Sequence, residues 1–379
     1  MKCDIIIPVW NQLEYTRNCI EGIFRTTSYP YRLILIDNGS VKETEEYLKS
    51  VRPGPGKEVT LIRNDKNLGF VKAVNQGLKI SNSPYICIMN NDTIPTPGWL
   101  ERLVEFAELH SDIGIINPLC AAPAGVGLDE YARYIADNKN AYMEMNQCFL
   151  FCALIKREVI DKIGYLDEDF GIGCYDDTDY SRRAGLAGYR CACAHSSCVH
   201  HLDGTSFKAL GTRKLLEQKG AEVYYKKWPR HLRVGLACSI DSKTTDSEIK
   251  NLLGGVLFLA REWCWINLWI FGDEKENRAK IGKVVEKLNM PKHQNIKLNH
   301  MSGSFSDMSI LLRLIERSFG TKRRKKYDLL MVDNKNSASF LRVFRFIHNT
   351  EISTFDIGED MLGAKTILER LTGAVRRIG

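Results

Sequence analysis

The stretch "RLILIDNGS", residues 32–40, decides the fold. Leu33, Ile34, Leu35 and Ile36 form an unbroken apolar run, which as a strand is buried on both faces of a sheet. Asp37, Asn38, Gly39 and Ser40 then supply turn chemistry. The same order, an apolar run followed by a polar turn, recurs around it. "CDIIIPVW" (3–10) leads into Asn11, "VTLIRND" (59–65) runs into "NDKNLG" (64–69), and "YICIMNNDT" (85–93) closes on Asn90, Asn91 and Asp92. Helical patterns separate them: "LEYTRNCIEGIFRT" (13–26), "VKETEEYLKSV" (41–51) and "FVKAVNQGLKIS" (70–81). "GWLERLVEFAELH" (98–110) adds a helix and "IGIINPLC" (113–120) a strand. Strand–helix alternation predicts an α/β fold with an open parallel sheet covered on both faces. Ligands of such sheets sit beyond the carboxyl ends of the strands. The four turns would share that rim. Turn chemistry accounts for any one of them, but four in register, with carboxylates at Asp37 and Asp92, predict a nucleotide-plus-metal rim.

A chain of 379 residues predicts two domains. A second alternation begins near residue 233, with strands at "RVGLACSI" (233–240), "INLWIFGD" (266–273), "NIKLNHM" (295–301), "DLLMVDN" (328–334) and "EISTFDIG" (351–358). Residues 1–232 are therefore expected to form one domain and 233–379 a second, Rossmann-like α/β domain, joined through "KKWPRHL" (226–232). No glycine-rich phosphate loop occurs in the second, and its role is not legible.

The formal net charge of +7 belongs to the C-terminal part, where "TKRRKK" (321–326) is the densest basic run. Such a run is a solvated loop, or an attraction for an anionic membrane surface or acidic partner. No nucleic-acid motif accompanies it, so nucleic acid is not an expected partner. The 12 cysteines lie within apparent strands and helices rather than at the spacings of a stapled domain, which points to free thiols in a reducing compartment. The start "MKCDIIIPVW" does not read as a signal peptide. The long apolar stretch "LLGGVLFLAREWCWINLWIF" (252–271) is broken by Arg261 and Glu262, against a membrane span. A cytoplasmic protein, peripheral on the inner face of the membrane through its basic part, is the resulting expectation.

Two later clusters carry chemistry. "YDDTDYSRR" (175–183) places three Asp within four positions ahead of a helix, more than capping needs. "CACAHSSCVHH" (191–201) suggests zinc at first sight. Yet Cys191 and Cys193 stand one residue apart with no second C-x₂₋₄-C pair, and the stretch reads as a buried strand in which Cys is a small hydrophobe.

Five of these segments resemble the family 2 glycosyltransferases of GT-A fold, and in particular their bacterial rhamnosyltransferase-like branch. "IIIPVWNQ" (5–12) looks like the opening strand, "LILIDNGS" (33–40) like the uridine-facing Asp motif, and "NDKNLGFVKAVNQGL" (64–78) like the branch's N-x-G-F-x-x-A-x-N-x-G segment. "YICIMNNDTIPTPGWLERL" (85–103) is similar to the metal-binding strand end, and "LDEDFGIGCYDDTDYSRRAGLAGYR" (166–190) to the segment with the catalytic base. The likeness covers roughly residues 1–230. Two departures stand out: Asn90-Asn91-Asp92 replaces Asp-x-Asp, and Asp176-Asp177 replaces Glu-Asp.

The resemblance implies an inverting transferase that moves a sugar from a UDP- or dTDP-linked donor to a hydroxyl of a glycan or lipid-linked acceptor. Asp177 is then the base, and crowding by Asp176 and Asp179 would raise its pKa towards neutrality. Asp92 is a metal ligand. His200, favoured over His201, would complete the site, and an imidazole suits Mn²⁺ better than Mg²⁺. Pro8, Val9, Asn11, Asp37, Asn38, Asn67, Gly69, Lys72, Asn75, Asn90 and Asn91 are expected on the donor, and Trp99, Tyr175 and Asp176 near the acceptor. Two other readings remain: a sugar nucleotidyltransferase, whose glycine-rich basic loop is missing from "PVWNQLEYTRN" (8–18), and a non-catalytic glycan-binding or scaffold protein, encouraged by Asn90.

Overall fold

A computed structural model describes residues 2–54, 57–202, 213–302, 307–319 and 326–357. The chain divides into two compact units, Met1–Lys227 and Trp228–Gly379, and the division falls inside the 226–232 stretch. Most of "TKRRKK" (321–326) lies outside the described residues.

The first unit begins with β1 (Cys3–Val9), α1 (Leu13–Thr26), β2 (Tyr31–Asp37), α2 (Lys42–Ser50), β3 (Glu58–Arg63), α3 (Phe70–Ile80) and β4 (Tyr85–Met89). There follow β5 (Thr93–Pro95), α4 (Trp99–Leu109), β6 (Ile113–Leu119), α5 (Leu128–Tyr134), β7 (Tyr142–Met145) and β8 (Cys152–Lys156). The unit closes with α6 (Arg157–Ile163), α7 (Asp176–Leu186), β9 (Arg190–His201) and a helix over Arg213–Lys227. Strands β1, β2, β3 and β4 pair in parallel, in the order β3-β2-β1-β4.

Beyond β4 the sheet departs from the expected all-parallel form. Strand β8 inserts between β4 and β6 and runs antiparallel to both, and β9 lies parallel to β6. The apolar run "CALIK" of β8 is buried at every position, which meets the same requirement for a central strand regardless of direction. One face of the sheet, with Cys3, Ile5, Ile7 and Val9, packs against Ile20 and Ile23 of α1 and Leu100 and Leu103 of α4. On the other, Gly77 of α3 meets Ile6 so closely that a Cβ there would lie 2.5 Å from its side chain.

The second unit is a parallel sheet in the spatial order 296–302, 265–272, 233–239, 329–332, 351–354. Alternate residues face opposite layers. Leu236 and Cys238 pack with Ile249, Leu252 and Val256 of the Asp246–Arg261 helix, while Ala237 packs with Ile310, Leu314 and Ala338 from two other helices. This is the doubly wound Rossmann-like arrangement. Among the described residues no helix is long and apolar enough to cross a membrane. All 12 cysteines are free thiols.

Candidate active site

The rim at the carboxyl ends of β1–β3 is stitched by side-chain amides. Asn38 donates from Nδ2 to Asn67 Oδ1 (2.8 Å) and to the Gly69 carbonyl (3.2 Å). Its Oδ1 accepts from Asn64 Nδ2 and from the Leu68 amide, both at 3.0 Å. Gln76 and Asn64 exchange two further bonds at 2.8 and 2.9 Å. Asn11, with φ 58°, accepts at Oδ1 from the Val41 amide at 2.8 Å. Burial makes such a network rigid only if every member is satisfied, and these amides satisfy one another. Gly69 has φ +89°, and a Cβ there would stand 2.8 Å from the Gly171 carbonyl oxygen. The Phe70 amide donates to the Ile172 carbonyl at 3.2 Å, so the rim is sewn to the segment that carries the acidic cluster.

Several expected donor residues sit inside this wall rather than on it. Asp37 is fully buried; its Oδ1 accepts from the Ser40 amide at 2.9 Å and its Oδ2 pairs with Arg63. Val9 is fully buried as well, and Pro8 is half-buried. Asn75 is a brace: Nδ2 donates to the Leu166 carbonyl at 2.9 Å, and Oδ1 accepts from the Leu166 amide at 3.0 Å. Its expected reach to the donor is corrected, because both ends of the amide hold the segment ahead of the acidic cluster. Lys72 is exposed on α3.

At the end of β4, Asn90 donates its amide to the Phe151 carbonyl at 2.7 Å, and Asn91 donates from Nδ2 to Thr16 Oγ1 at 2.9 Å. Strand β5 then pairs antiparallel with β9, with Thr93 opposite His201 and Ile94 opposite His200. This register brings His201, not the favoured His200, to Asp92: Nε2 lies 3.2 Å from Asp92 Oδ1 and 3.5 Å from Asn90 Nδ2. Phe151 stacks on the His201 ring at 4.9 Å. The neighbouring His200 points to the opposite side of the strand, where its buried Nδ1 has no hydrogen-bond partner. Alternation along β9 makes the choice between them.

Among the described residues no group of three or more His, Cys, Asp or Glu gathers into a metal cluster, in the "CACAHSSCVHH" stretch or elsewhere. Asp92 and His201 could supply two ligands to a divalent cation, with the Asn90 amide a third polar group beside them. One carboxylate with one imidazole suits Mn²⁺ better than Mg²⁺ and leaves coordination positions for phosphate oxygens.

The acidic cluster opens α7 behind Tyr175, which takes the left-handed conformation at φ 68°. Asp176 is buried, and burial followed by the charge of Asp177 pushes its pKa up to about 8. Asp177 is only part-buried by its surface. Its pKa is also raised, chiefly by burial, and is held back by hydrogen bonds from Gln147 and Thr178. Thr178 donates its amide to Asp177 Oδ1 at 2.7 Å. Asp179 is neutralised by Arg183 at 2.8 Å, whereas Arg182 bonds the Tyr224 hydroxyl at 3.0 Å. Tyr175 stands against Tyr224 and Tyr225, 5.4 and 6.2 Å between centroids. Trp99 is corrected from acceptor platform to core: it is 0% exposed and its Nε1 donates to Thr27 Oγ1 at 2.8 Å. Nothing in the sequence marks Gln147, since a lone amide in "MNQCFLF" carries no pattern.

An open sheet whose parallel half ends in a polar rim, continued past the antiparallel β8 to a strand, β9, that brings a histidine to the end of β4, fits the GT-A class of fold. Residues 4–164 match the family described as "Glycosyl transferase family 2". That match ends short of Asp177 and His201. The chain is 25% identical over 252 residues to "Uncharacterized protein y4gI" of Sinorhizobium fredii, covering 60% of this chain and 27% of that one. It is 28% identical over 193 residues to "Uncharacterized glycosyltransferase YwdF" of Bacillus subtilis, covering 48% of this chain and 68% of the relative. Among solved structures it is similar to the mannosyltransferase PcManGT of Pyrobaculum calidifontis in complex with GDP-Man and Mn²⁺, at 14% identity and a TM-score of 0.46, covering 85% of this chain and 81% of that one. The chain thus spans about a quarter of y4gI, and a larger part of the other two.

Proposed function

We propose that the protein is an inverting, metal-dependent glycosyltransferase that moves a hexosyl or deoxyhexosyl group from a nucleotide-diphosphate donor to a hydroxyl of a glycan or lipid-linked acceptor. Surface polysaccharide synthesis, as in the rhamnosyltransferase-like branch, is the setting this reading favours. The observation that carries it is a division of labour. A part-exposed carboxylate with a raised pKa stands at the start of α7, and a separate carboxylate–imidazole pair stands at the end of β4.

Asp177 accepts the acceptor hydroxyl's proton as that oxygen attacks the anomeric carbon. A raised pKa brings its basicity closer to the working pH, so it is a stronger base than an ordinary surface carboxylate. Asp92 and His201 would hold a divalent cation, which would neutralise charge on the leaving diphosphate. The rim built from Asn11, Asn38, Asn67 and Gly69 orients the nucleotide, with Lys72 exposed on the adjoining helix for phosphate. A single base with no nucleophilic carboxylate assigned opposite it favours direct displacement. Tyr175 and Asp176 border the acceptor.

Asp177→Asn keeps the shape and removes the base. Transfer from labelled UDP- or dTDP-sugars with Mn²⁺ should fall by about 10²–10⁴-fold, while nucleotide affinity in a titration stays at the wild-type value. Loss of nucleotide affinity in this variant would remove Asp177 from the acceptor side. A wild-type protein that binds no nucleotide and neither transfers nor hydrolyses any donor would leave only a non-catalytic role.

A further inference from the structure

The helix over Arg213–Lys227 packs against the turn that opens the acidic cluster and is fixed there at three points. A Cβ at Gly220 would collide with the Cys174 carbonyl, so the two backbones lie in direct contact. Tyr224 is 0% exposed, and its hydroxyl accepts from Arg182 Nη1 at 3.0 Å. Lys227 pairs with Asp167, and its Nζ stands 5.2 Å over the Phe170 ring. Tyr225 differs from these three. It is 47% exposed, although its ring meets Tyr224 at 5.3 Å and 84° and Tyr175 at 6.2 Å and 62°, edge to face in both cases. Tyr175 is half-buried. Cys174 and Tyr175 take consecutive left-handed conformations, at φ 76° and 68°. Two such residues in a row without glycine are strained, and strain of this kind persists only where the surroundings hold it. Here the Gly220 contact and the buried Tyr224 ring hold it.

We propose that Tyr225, together with Tyr175, is a platform on which the terminal pyranose ring of the acceptor stacks. The inference rests on the transferase reading above and names the part of the acceptor that the site holds: a sugar ring rather than a lipid chain. Tyr175 stands two residues ahead of Asp177. Two residues span at most about 7 Å of chain, so a sugar held on the pair is within reach of the base. A pyranose presents C–H bonds on its faces and hydroxyls around its rim. Tyrosine rings offer the faces an apolar, electron-rich surface, and carboxylates such as Asp176 and Asp177 accept from hydroxyls. A lipid chain would need a continuous apolar track. One turn back from Tyr225 on the same helix face stand Ala221 and the exposed Glu222, a methyl group and a carboxylate. Tyr175 is followed directly by two carboxylates. The aromatic surface is therefore short and bordered by charge, which suits one sugar ring and not an extended alkyl tail.

The test is saccharide binding by the full-length protein with UDP and Mn²⁺ present. It is read by saturation-transfer NMR on methyl glycosides of glucose, galactose, mannose, rhamnose and N-acetylglucosamine. Wild type should pass saturation to the ring C–H protons of at least one glycoside. Tyr225→Ala should weaken that binding by about 5–10-fold, and Tyr225→Phe, which keeps the ring, should hold it within about twofold of wild type. Nucleotide Kd and the urea midpoint should match wild type in both variants. With octyl β-glucoside as the probe, saturation should reach the sugar ring ahead of the octyl chain. Saturation confined to the octyl chain, no binding of any methyl glycoside by wild type, or wild-type binding in Tyr225→Ala overturns the proposal. So does a lower urea midpoint accompanying the loss in Tyr225→Ala, which marks a merely structural role. If wild type turns over donor, Asp177→Asn does not, and Tyr225→Ala binds saccharide normally, only the platform has failed. If wild type binds no nucleotide and turns over no donor, the transferase reading has failed, and the acceptor site falls with it.

Discussion

His200 and His201 are chemically identical and adjacent, and their roles separate only by the side of β9 each occupies. The pairing of Thr93 with His201 turns that imidazole to Asp92, 3.2 Å away. His201→Ala should therefore weaken Mn²⁺ binding by roughly 10–100-fold, measured by paramagnetic resonance, while His200→Ala leaves it near the wild-type value. Equal effects from both would place the metal elsewhere. The carboxylates divide in the same way. Asp37 and Asp92 look alike in sequence as strand-end acids, yet Asp37 is buried against Arg63 and the Ser40 amide, and Asp92 stands beside an imidazole. Trp99 misleads for a related reason: an aromatic after a polar turn can start a helix on the surface or in the core. The α4 position that Trp99 takes packs into the sheet.

At the scale of elements, the apolar runs are long and continuous enough that their strand character does not depend on context. "LEYTRNCIEGIFRT" coincides with α1 at Leu13–Thr26, because its apolar positions recur at helical spacing. What local pattern does not contain is partnership. The antiparallel insertion of β8 comes from a strand more than sixty residues beyond β4, and no spacing within either segment announces it. Contacts between loops behave likewise. Gly69 reads as a glycine that a ligand approaches, whereas its nearest obstacle is the Gly171 carbonyl, and its φ of +89° is costly for any other residue. Gly69→Ala should destabilise the first unit by about 1–3 kcal/mol, read as a lower urea midpoint with an unchanged slope. An unchanged midpoint would mean that the two loops part without cost.

At the scale of the whole molecule, the acidic cluster couples the site to folding. Asp176 has a folded-state pKa of about 8 against an ordinary 3.8, so between those values the folded protein binds a proton that the unfolded chain releases. Stability contributed by the protonated carboxyl is complete below the unfolded value and is lost as pH rises through about 8. Wild type should lose more of its urea midpoint between pH 5 and pH 8 than Asp176→Asn, in which nothing titrates at that position. Identical losses would show that Asp176 is already ionised at pH 5. The sequence by itself determined the α/β class, the two alternating halves, the polar strand ends and the acidic cluster at the start of α7. These follow from periodicity and composition, which act over a few neighbouring residues. Only the tertiary structure decided that His201 faces Asp92, that Asn75 braces the segment ahead of the acidic cluster, and that Trp99 belongs to the core. Each of those depends on strand register or loop contact between segments distant in the chain, and no local preference of the residues encodes it.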